Sequence, residues 1–413
     1  MLREVPVNPK SLEPYRGIAG DGVIDGLRDM AEGLRGARVL HINSTAYGGG
    51  VAEILYNLVP LLRDLGLEAE WRVIEGDQEF FEVTKFMHNA LQGMEIPTTA
   101  PMREKYLQVV EENASRFEGE YDFVIVHDPQ PCAILNFLQE RGLRRGRWIW
   151  RCHIDTTFAQ EDAWDFLLPF INLYDAAVFT KDDYIKTPLE VSRIAFIPPS
   201  IDPLSPKNQA PSEQAVREIM VEYGVDRERP LLVQVSRFDP WKDPLGVIDV
   251  YRMVKEDFPS VQLAFLASMA SDDPEGWHYY ELMNRYRGGD PDIHLLSNLQ
   301  GVGNLEVGAF QAAADVVLQK SLREGFGLTV TEAMWKGKPV VAGKVGGILL
   351  QIDDGVNGFL IESVEQCAER VKGLLADPAL RLKVGEEAHR KVLNNFLITR
   401  HLRDYLELFN SLT

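Results

Sequence analysis

Short apolar runs rich in Val, Ile and Phe alternate with segments of helical period along most of the chain. In the first half, strands are predicted at 37–43 ("ARVLHIN"), 69–74, 121–127 ("YDFVIVH"), 147–152 ("RWIWRC"), 176–180 and 194–198. Helices are predicted at 51–65, 80–92, 101–117 and 132–142. A second series gives strands at 231–236 ("LLVQVS"), 261–267, 293–297, 315–319, 338–343 and 358–361, with helices at 244–258, 276–288, 305–314 and 329–337 and more helix towards the end. The strand runs are almost continuously apolar, as parallel strands covered on both faces require. The fold class is therefore α/β, with two doubly wound, Rossmann-like parallel sheets.

Residues 197–212 ("IPPSIDPLSPKNQAPS") hold five prolines and interrupt the alternation, so they read as a connector. The expected domains are 1–203 and 204–394. Ligands of such sheets sit beyond the carboxyl ends of the strands, which places the expected site in a cleft between the domains.

Composition narrows the class. The 413 residues are 45% hydrophobic and carry a formal net charge of -19. So acidic a chain is ill-suited to nucleic acid or an anionic membrane, and a phosphorylated ligand needs its few cations gathered in one place. Cys132, Cys152 and Cys367 are widely spaced and form no CxxC pair. This speaks against a disulfide framework or zinc site and suits a reducing cytoplasm. The N-terminus lacks the apolar core of a signal peptide, and the expected location is the cytoplasm.

Three stretches of the second half carry candidate chemistry. In "VQVSRFDPWKDP", Arg237 and Lys242 follow a buried strand, where a guanidinium fork and an ammonium suit a pyrophosphate. Taken alone, this stretch reads more readily as a solvated basic loop. In "QKSLREGFGLTVTEAMWKG", Glu324 and Glu332 bracket a glycine turn and the start of a helix. Free N–H groups of Leu328, Thr329 and Val330 are expected to face an anion, and a carboxylate on that helix can hold ribose hydroxyls. In "AGKVGGILLQ", Gly346 and Gly347 permit either a close backbone approach to a ligand or an ordinary turn.

Arg237 and Lys242, the E-x7-E spacing of Glu324 and Glu332, and "GKPVVAGKVGG" together resemble the retaining glycosyltransferases of family 4 with the GT-B fold. That resemblance implies two Rossmann-like domains facing across a cleft, with the segment 395–413 packing back on the first. It implies that Arg237 and Lys242 neutralise the diphosphate of a sugar nucleotide and that Glu332 holds the ribose. Glu324, with Phe326 and Gly327, would hold hydroxyls of the donor sugar.

In the first half, "VIVHDPQP" and "WIWRCHIDTT" place His127, Asp128, Arg151, His153 and Asp155 at strand ends. Ionisable groups are costly to desolvate without partners. By the family resemblance, Asp128 and His153 match groups that contact sugar hydroxyls, with Asp155 beside them. His41, His88, His294 and His401 show no ligand spacing and read as structural.

"HINSTAYGGGVAEIL", "HDPQP", "WRCHIDTT" and "IPPSIDPLSPKN" are similar to phrases of trehalose synthases of the glycosyltransferring type and of the related trehalose phosphorylases. The resemblance implies reversible, retaining glucosyl transfer from UDP-, ADP- or GDP-glucose to glucose. Other acceptors, inorganic phosphate, and a sugar-nucleotide epimerase are the alternatives. No metal-ligand spacing is apparent; no cofactor beyond the donor is expected, with room for an accessory Mg²⁺. The expected partners are small sugars, and a homodimer stays open. Gly48, Gly49 and Gly50 do not fit a dinucleotide fingerprint, since the third glycine would fall on Glu53. They are expected to act as a mobile lid on the donor diphosphate and acceptor sugar.

Overall fold

The computed structural model describes residues 2–47, 49–269 and 274–413. The chain divides into two compact units, one of Met1–Ser200 with Ile398–Thr413 and one of Ile201–Leu397.

The first unit carries a seven-stranded sheet, β1 (Arg3–Glu4), β2 (Arg38–Asn43), β3 (Glu68–Val73), β4 (Phe123–His127), β5 (Arg147–Arg151), β6 (Ala176–Phe179) and β7 (Arg193–Phe196). Its order is β1-β3-β2-β4-β5-β6-β7, all parallel except the short edge strand β1. The order reverses at β2 and β4, so the crevice beyond their carboxyl ends is this unit's switch point. His41 pairs with Ile125, and His127 with Arg151, across these strands.

The second unit carries six parallel strands, β8 (Leu231–Val235), β9 (Gln262–Ala267), β10 (Ile293–Ser297), β11 (Val316–Gln319), β12 (Val340–Gly343) and β13 (Phe359–Ile361). The order β10-β9-β8-β11-β12-β13 puts the switch point between β8 and β11. The central strands of both sheets are buried along their whole length, which is why they read as unbroken apolar runs rather than alternating ones.

The predicted strands all form. Sequence pattern passes over the helices Asp21–Ala31, Glu161–Ile171 and Glu213–Glu222, and the edge strand β1. The proline-rich stretch 197–212 is not a free connector. From Ile201 onward it belongs to the second unit, where Asp202 and Asn208 are buried. Asn208 Nδ2 donates to the carbonyl of Asp202 at 3.0 Å, and Trp335 Nε1 donates to the carbonyl of Asn208 at 3.1 Å. Polar bonds rather than apolar burial hold this loop, so a hydrophobicity pattern cannot detect it.

The helix Ile398–Leu412 completes the first unit. Phe409 stacks on Phe123 at 4.5 Å, and Arg147 donates to the carbonyl of Leu412 at 2.9 Å. Among the described residues no helix is long and apolar enough to cross a membrane.

Candidate active site

The cation-bearing loop of the second unit is built by caps. After β8 the chain enters a short 3-10 helix, Pro240–Lys242, capped by the Asp239 carboxylate. Asp243 follows with φ 45° and caps the next helix through the amide of Gly246. Lys320, at the end of β11, pairs with Asp243. Buried Gln234 donates to the carbonyl of Lys242 at 3.2 Å. The loop is thus fixed from β8 and β11, the two strands flanking the switch point.

On that frame Lys242 Nζ lies 2.6 Å from Glu324 Oε2. Glu324 also accepts from Ser321 Oγ at 3.2 Å and Gln319 Nε2 at 3.4 Å. The two site residues therefore meet each other directly. Arg237 stands apart: its side chain is 64% exposed and contacts Asp239 at 3.2 Å.

The helix Leu328–Trp335 begins at Gly327, whose φ of 83° suits a residue without Cβ. The amide of Val330 donates to the carbonyl of Gly327 at 2.9 Å, so it is not available to an anion as the sequence suggests. Leu328 and Thr329 form the first helical turn, and Thr329 Oγ1 donates to Gln319 Oε1 at 3.2 Å. Phe326 is buried and meets Phe396 edge-on at 5.5 Å. Gln351, fully buried, donates to the carbonyl of Phe326 at 2.5 Å and accepts from Thr331 at 2.7 Å, holding the turn from beneath.

Gly347 answers the choice left open by the sequence. A Cβ there would stand 2.5 Å from the carbonyl oxygen of Gly325 and 2.6 Å from Cα of Phe326. The close approach is to the glutamate-bearing loop.

Glu332 is fully buried and lies 2.6 Å from Lys207 Nζ. The contact is charge pairing without hydrogen-bond geometry, since neither carboxylate oxygen has a hydrogen-bond partner among the described residues. Lys207 comes from the proline-rich loop, a cation the sequence pattern gave no reason to single out.

In the first unit the carboxyl ends of β2, β4 and β5 assemble a second polar cluster. His41 Nδ1 is 3.0 Å from His127 Nε2, and His127 Nδ1 is 3.0 Å from His153 Nε2. His41 and His127 are buried, and Tyr405 packs against His41. His401 is buried, lies in contact with Tyr405 and donates to the carbonyl of Pro198 at 3.1 Å, as a structural histidine does, whereas His41 joins the row of histidines. Asp128 adopts φ 64°, a left-handed conformation that Asp tolerates better than most residues. Its carboxylate accepts from the amide of His153 at 2.8 Å. Such strain held by several bonds is frequent at functional sites.

Burial pushes Asp128 up to about 6 against the lowering effect of that amide and of Arg151. Burial drives His41 down to about 3 and, with nearby cationic and imidazole groups, holds His127, His153 and His401 well below the ordinary range. All four imidazoles are therefore neutral at pH 7. Arg151 is fully buried and donates to the carbonyl of Ile197 at 2.6 Å. Asp155 is turned inward on its own loop, accepting from the amide of Thr157 at 3.1 Å.

In the glycine loop, Gly48 lies outside the described residues. Gly49 is the extended N-cap and Gly50 the first residue of the helix Gly50–Asp64. A side chain at Gly49 would meet nothing within 4 Å, so local packing does not demand glycine there. Among the described residues no group of three or more His, Cys, Asp or Glu side chains is disposed to hold a metal ion.

Two family models match the chain: "Trehalose synthase, N-terminal domain" over residues 41–186 and "Glycosyl transferases group 1" over 216–391. A trehalose synthase of Rubrobacter xylanophilus is 52% identical over 100% of this chain and 99% of its own. That of Thermococcus litoralis is 49% identical over 97% of both chains. A trehalose phosphorylase of Grifola frondosa is 27% identical over 86% of this chain and 54% of its own. Among solved structures, the trehalose 6-phosphate synthase of Burkholderia multivorans matches with a TM-score of 0.73, at 16% identity, over 91% of this chain and 98% of that one. The fold is thus that of the GT-B glycosyltransferases. Given half-identity to trehalose synthases along its entire length, the chain belongs to the trehalose synthase family and is a glycosyltransferase.

Proposed function

We propose that the protein is a retaining glucosyltransferase that forms trehalose reversibly from a nucleoside-diphosphate glucose and free glucose. The observation that carries this reading is the full-length identity to trehalose synthases, against the partial, 27% identity to the phosphorylase. The second unit would take the donor. Lys242, Arg237 and the amides at Leu328 and Thr329 would meet the diphosphate, where charge accumulates as the glycosidic C–O bond breaks. Glu332 would hold the ribose, and Glu324 the donor sugar. In front-face attack, an acceptor hydroxyl bonds to the anomeric carbon and its proton passes to the leaving phosphate oxygen. Asp128 and His153 would orient sugar hydroxyls for that step.

An unphosphorylated acceptor is supported by the disposition of two cations. A phosphorylated sugar needs positive charge in the first unit, where Arg151 ends β5 and Lys181 lies just past β6. Arg151 is wholly buried, and Lys181 pairs with Asp183 at 2.6 Å. The donor would be UDP-, ADP- or GDP-glucose, and the setting the cytoplasm.

The test is a matrix of UDP-, ADP- and GDP-glucose against glucose, glucose 6-phosphate, fructose, inorganic phosphate and no acceptor, with products identified. Trehalose from glucose alone is expected. Glucose 1-phosphate from trehalose and phosphate would establish a phosphorylase. An altered sugar nucleotide without acceptor would establish an epimerase.

A further inference from the structure

Three histidines from three neighbouring strand ends form one hydrogen-bonded row, His41–His127–His153. The rings of His127 and His153 lie 14° from coplanar with centroids 5.3 Å apart, and those of His41 and His127 lie 30° apart at the same separation. With 3.0 Å between facing nitrogens, the rings meet edge to edge rather than stack.

A neutral imidazole has one N–H and one lone pair, and each N···N contact needs one of each. Only two arrangements satisfy both contacts. Either all three rings carry hydrogen on Nδ1, or all three carry it on Nε2. The far end of the row separates them. His41 Nε2 is buried and has no partner among the described residues. In the second arrangement that atom is a buried N–H with no acceptor, which carries the full cost of its desolvation. In the first it is only an unused lone pair, the less costly of the two.

We propose that His41 and His127 are positioning residues that hold His153 in its Nδ1–H form, so that His153 meets a sugar oxygen as a donor through Nδ1. The inference rests on the reading above that His153 touches a sugar hydroxyl. It assigns that contact a direction: His153 gives a hydrogen bond and does not accept one. It also gives His41, fully buried and two residues short of the strand end, a part in sugar recognition.

The experiment is nitrogen-15 NMR of histidine-labelled full-length protein at pH 7.5 without substrate, with ring signals assigned by single His→Gln variants. Protonated and bare ring nitrogens differ widely in shift. Hydrogen on Nδ1 of all three rings is expected; hydrogen on Nε2 of His153 overturns the proposal. Kinetics of two near-isosteric variants complete it. His127→Asn keeps an N–H donor towards His153 Nε2, whereas the carboxylate of His127→Asp can only accept and forces the proton onto His153 Nε2. The Asp variant should lose at least tenfold more kcat than the Asn variant, with both folded by circular dichroism. Equal kcat in the two overturns the proposed role. Because the spectrum is taken without substrate, its failure is distinct from failure of the site reading, which would appear as unimpaired transfer by His153→Ala.

Discussion

Lys242 Nζ stands 2.6 Å from Glu324 Oε2 at the switch point of the second sheet. The pair keeps the loop electrically balanced without ligand. On the function proposed above, a bound diphosphate would draw Lys242 to itself and leave Glu324 for a neutral, hydroxyl-bearing group. Lys242→Ala should therefore lower kcat/KM for the donor by roughly 100-fold, the scale of removing one charge-stabilising donor. Stability should fall by only about 1–2 kcal/mol, because Glu324 retains Ser321 and Gln319. Steady-state kinetics and urea unfolding check both. A fully active Lys242→Ala enzyme would remove this residue from the site.

The Lys207–Glu332 pair predicts the opposite balance. Glu332 is fully buried, so Lys207→Ala strands a carboxylate and should cost about 3–5 kcal/mol. Pairing Lys207→Met with Glu332→Leu should recover most of that loss, as uncharged replacements of buried pairs do. Donor binding should stay lost in the double variant if Glu332 holds the ribose. Urea unfolding and calorimetric titration with donor read the two effects separately.

At Gly347 the prediction is steric. An added methyl meets backbone of Gly325 and Phe326, which cannot move aside as a side chain could. Gly347→Ala should displace the turn that bears Glu324 and cost about 1–3 kcal/mol. The KM for donor should rise several-fold more than that for glucose. Equal changes in both would show that the turn does not serve the donor alone.

Gly49→Val tests the glycine loop. The position is extended and open, so the variant should fold with an unchanged melting temperature. Transfer should fall while donor binding persists. Loss of donor binding would make the loop part of the donor site.

Acid should destabilise the first unit through its histidines. Burial lowers His41 to about 3, so the unfolded chain takes up its proton first as pH drops below about 6.5. Stability present above pH 6.5 is lost progressively towards pH 3, by roughly 1.4 kcal/mol per pH unit for such a group. Asp128 acts in the reverse sense. Its raised value of about 6 favours the folded form below the unfolded value, and that contribution disappears as pH rises through about 6. Melting temperatures between pH 4 and 8 should decline towards acid. His41→Phe should flatten the decline and Asp128→Asn should steepen it. A His41→Phe profile parallel to the parent's would show that His41 is not titrating on unfolding.

Apolar runs such as "FVIVH" and "LLVQV" announce their strands because both faces of each sheet are covered. The candidate residues of the second unit are legible in part. Glu324, Gly327 and Glu332 sit within one loop and helix, so their short spacing is visible along the chain, whereas Lys242 meets Glu324 only because β8 and β11 are neighbours. Lys207 and the row of histidines are not legible. Lys207 reaches Glu332 over a fold in a polar loop, and His41, His127 and His153 meet only because β2, β4 and β5 lie side by side in a given register. Strand order and register are tertiary facts, and no local pattern around His41 encodes them.

The division of the chain bears on the order in which the protein is made. Residues 201–397 of the second unit are contiguous, whereas the first unit is made of Met1–Ser200 together with Ile398–Thr413. On the ribosome the unit that starts first is therefore completed only after the second has been made. Until Tyr405 and Phe409 emerge, His41 and Phe123 lack the rings that pack against them.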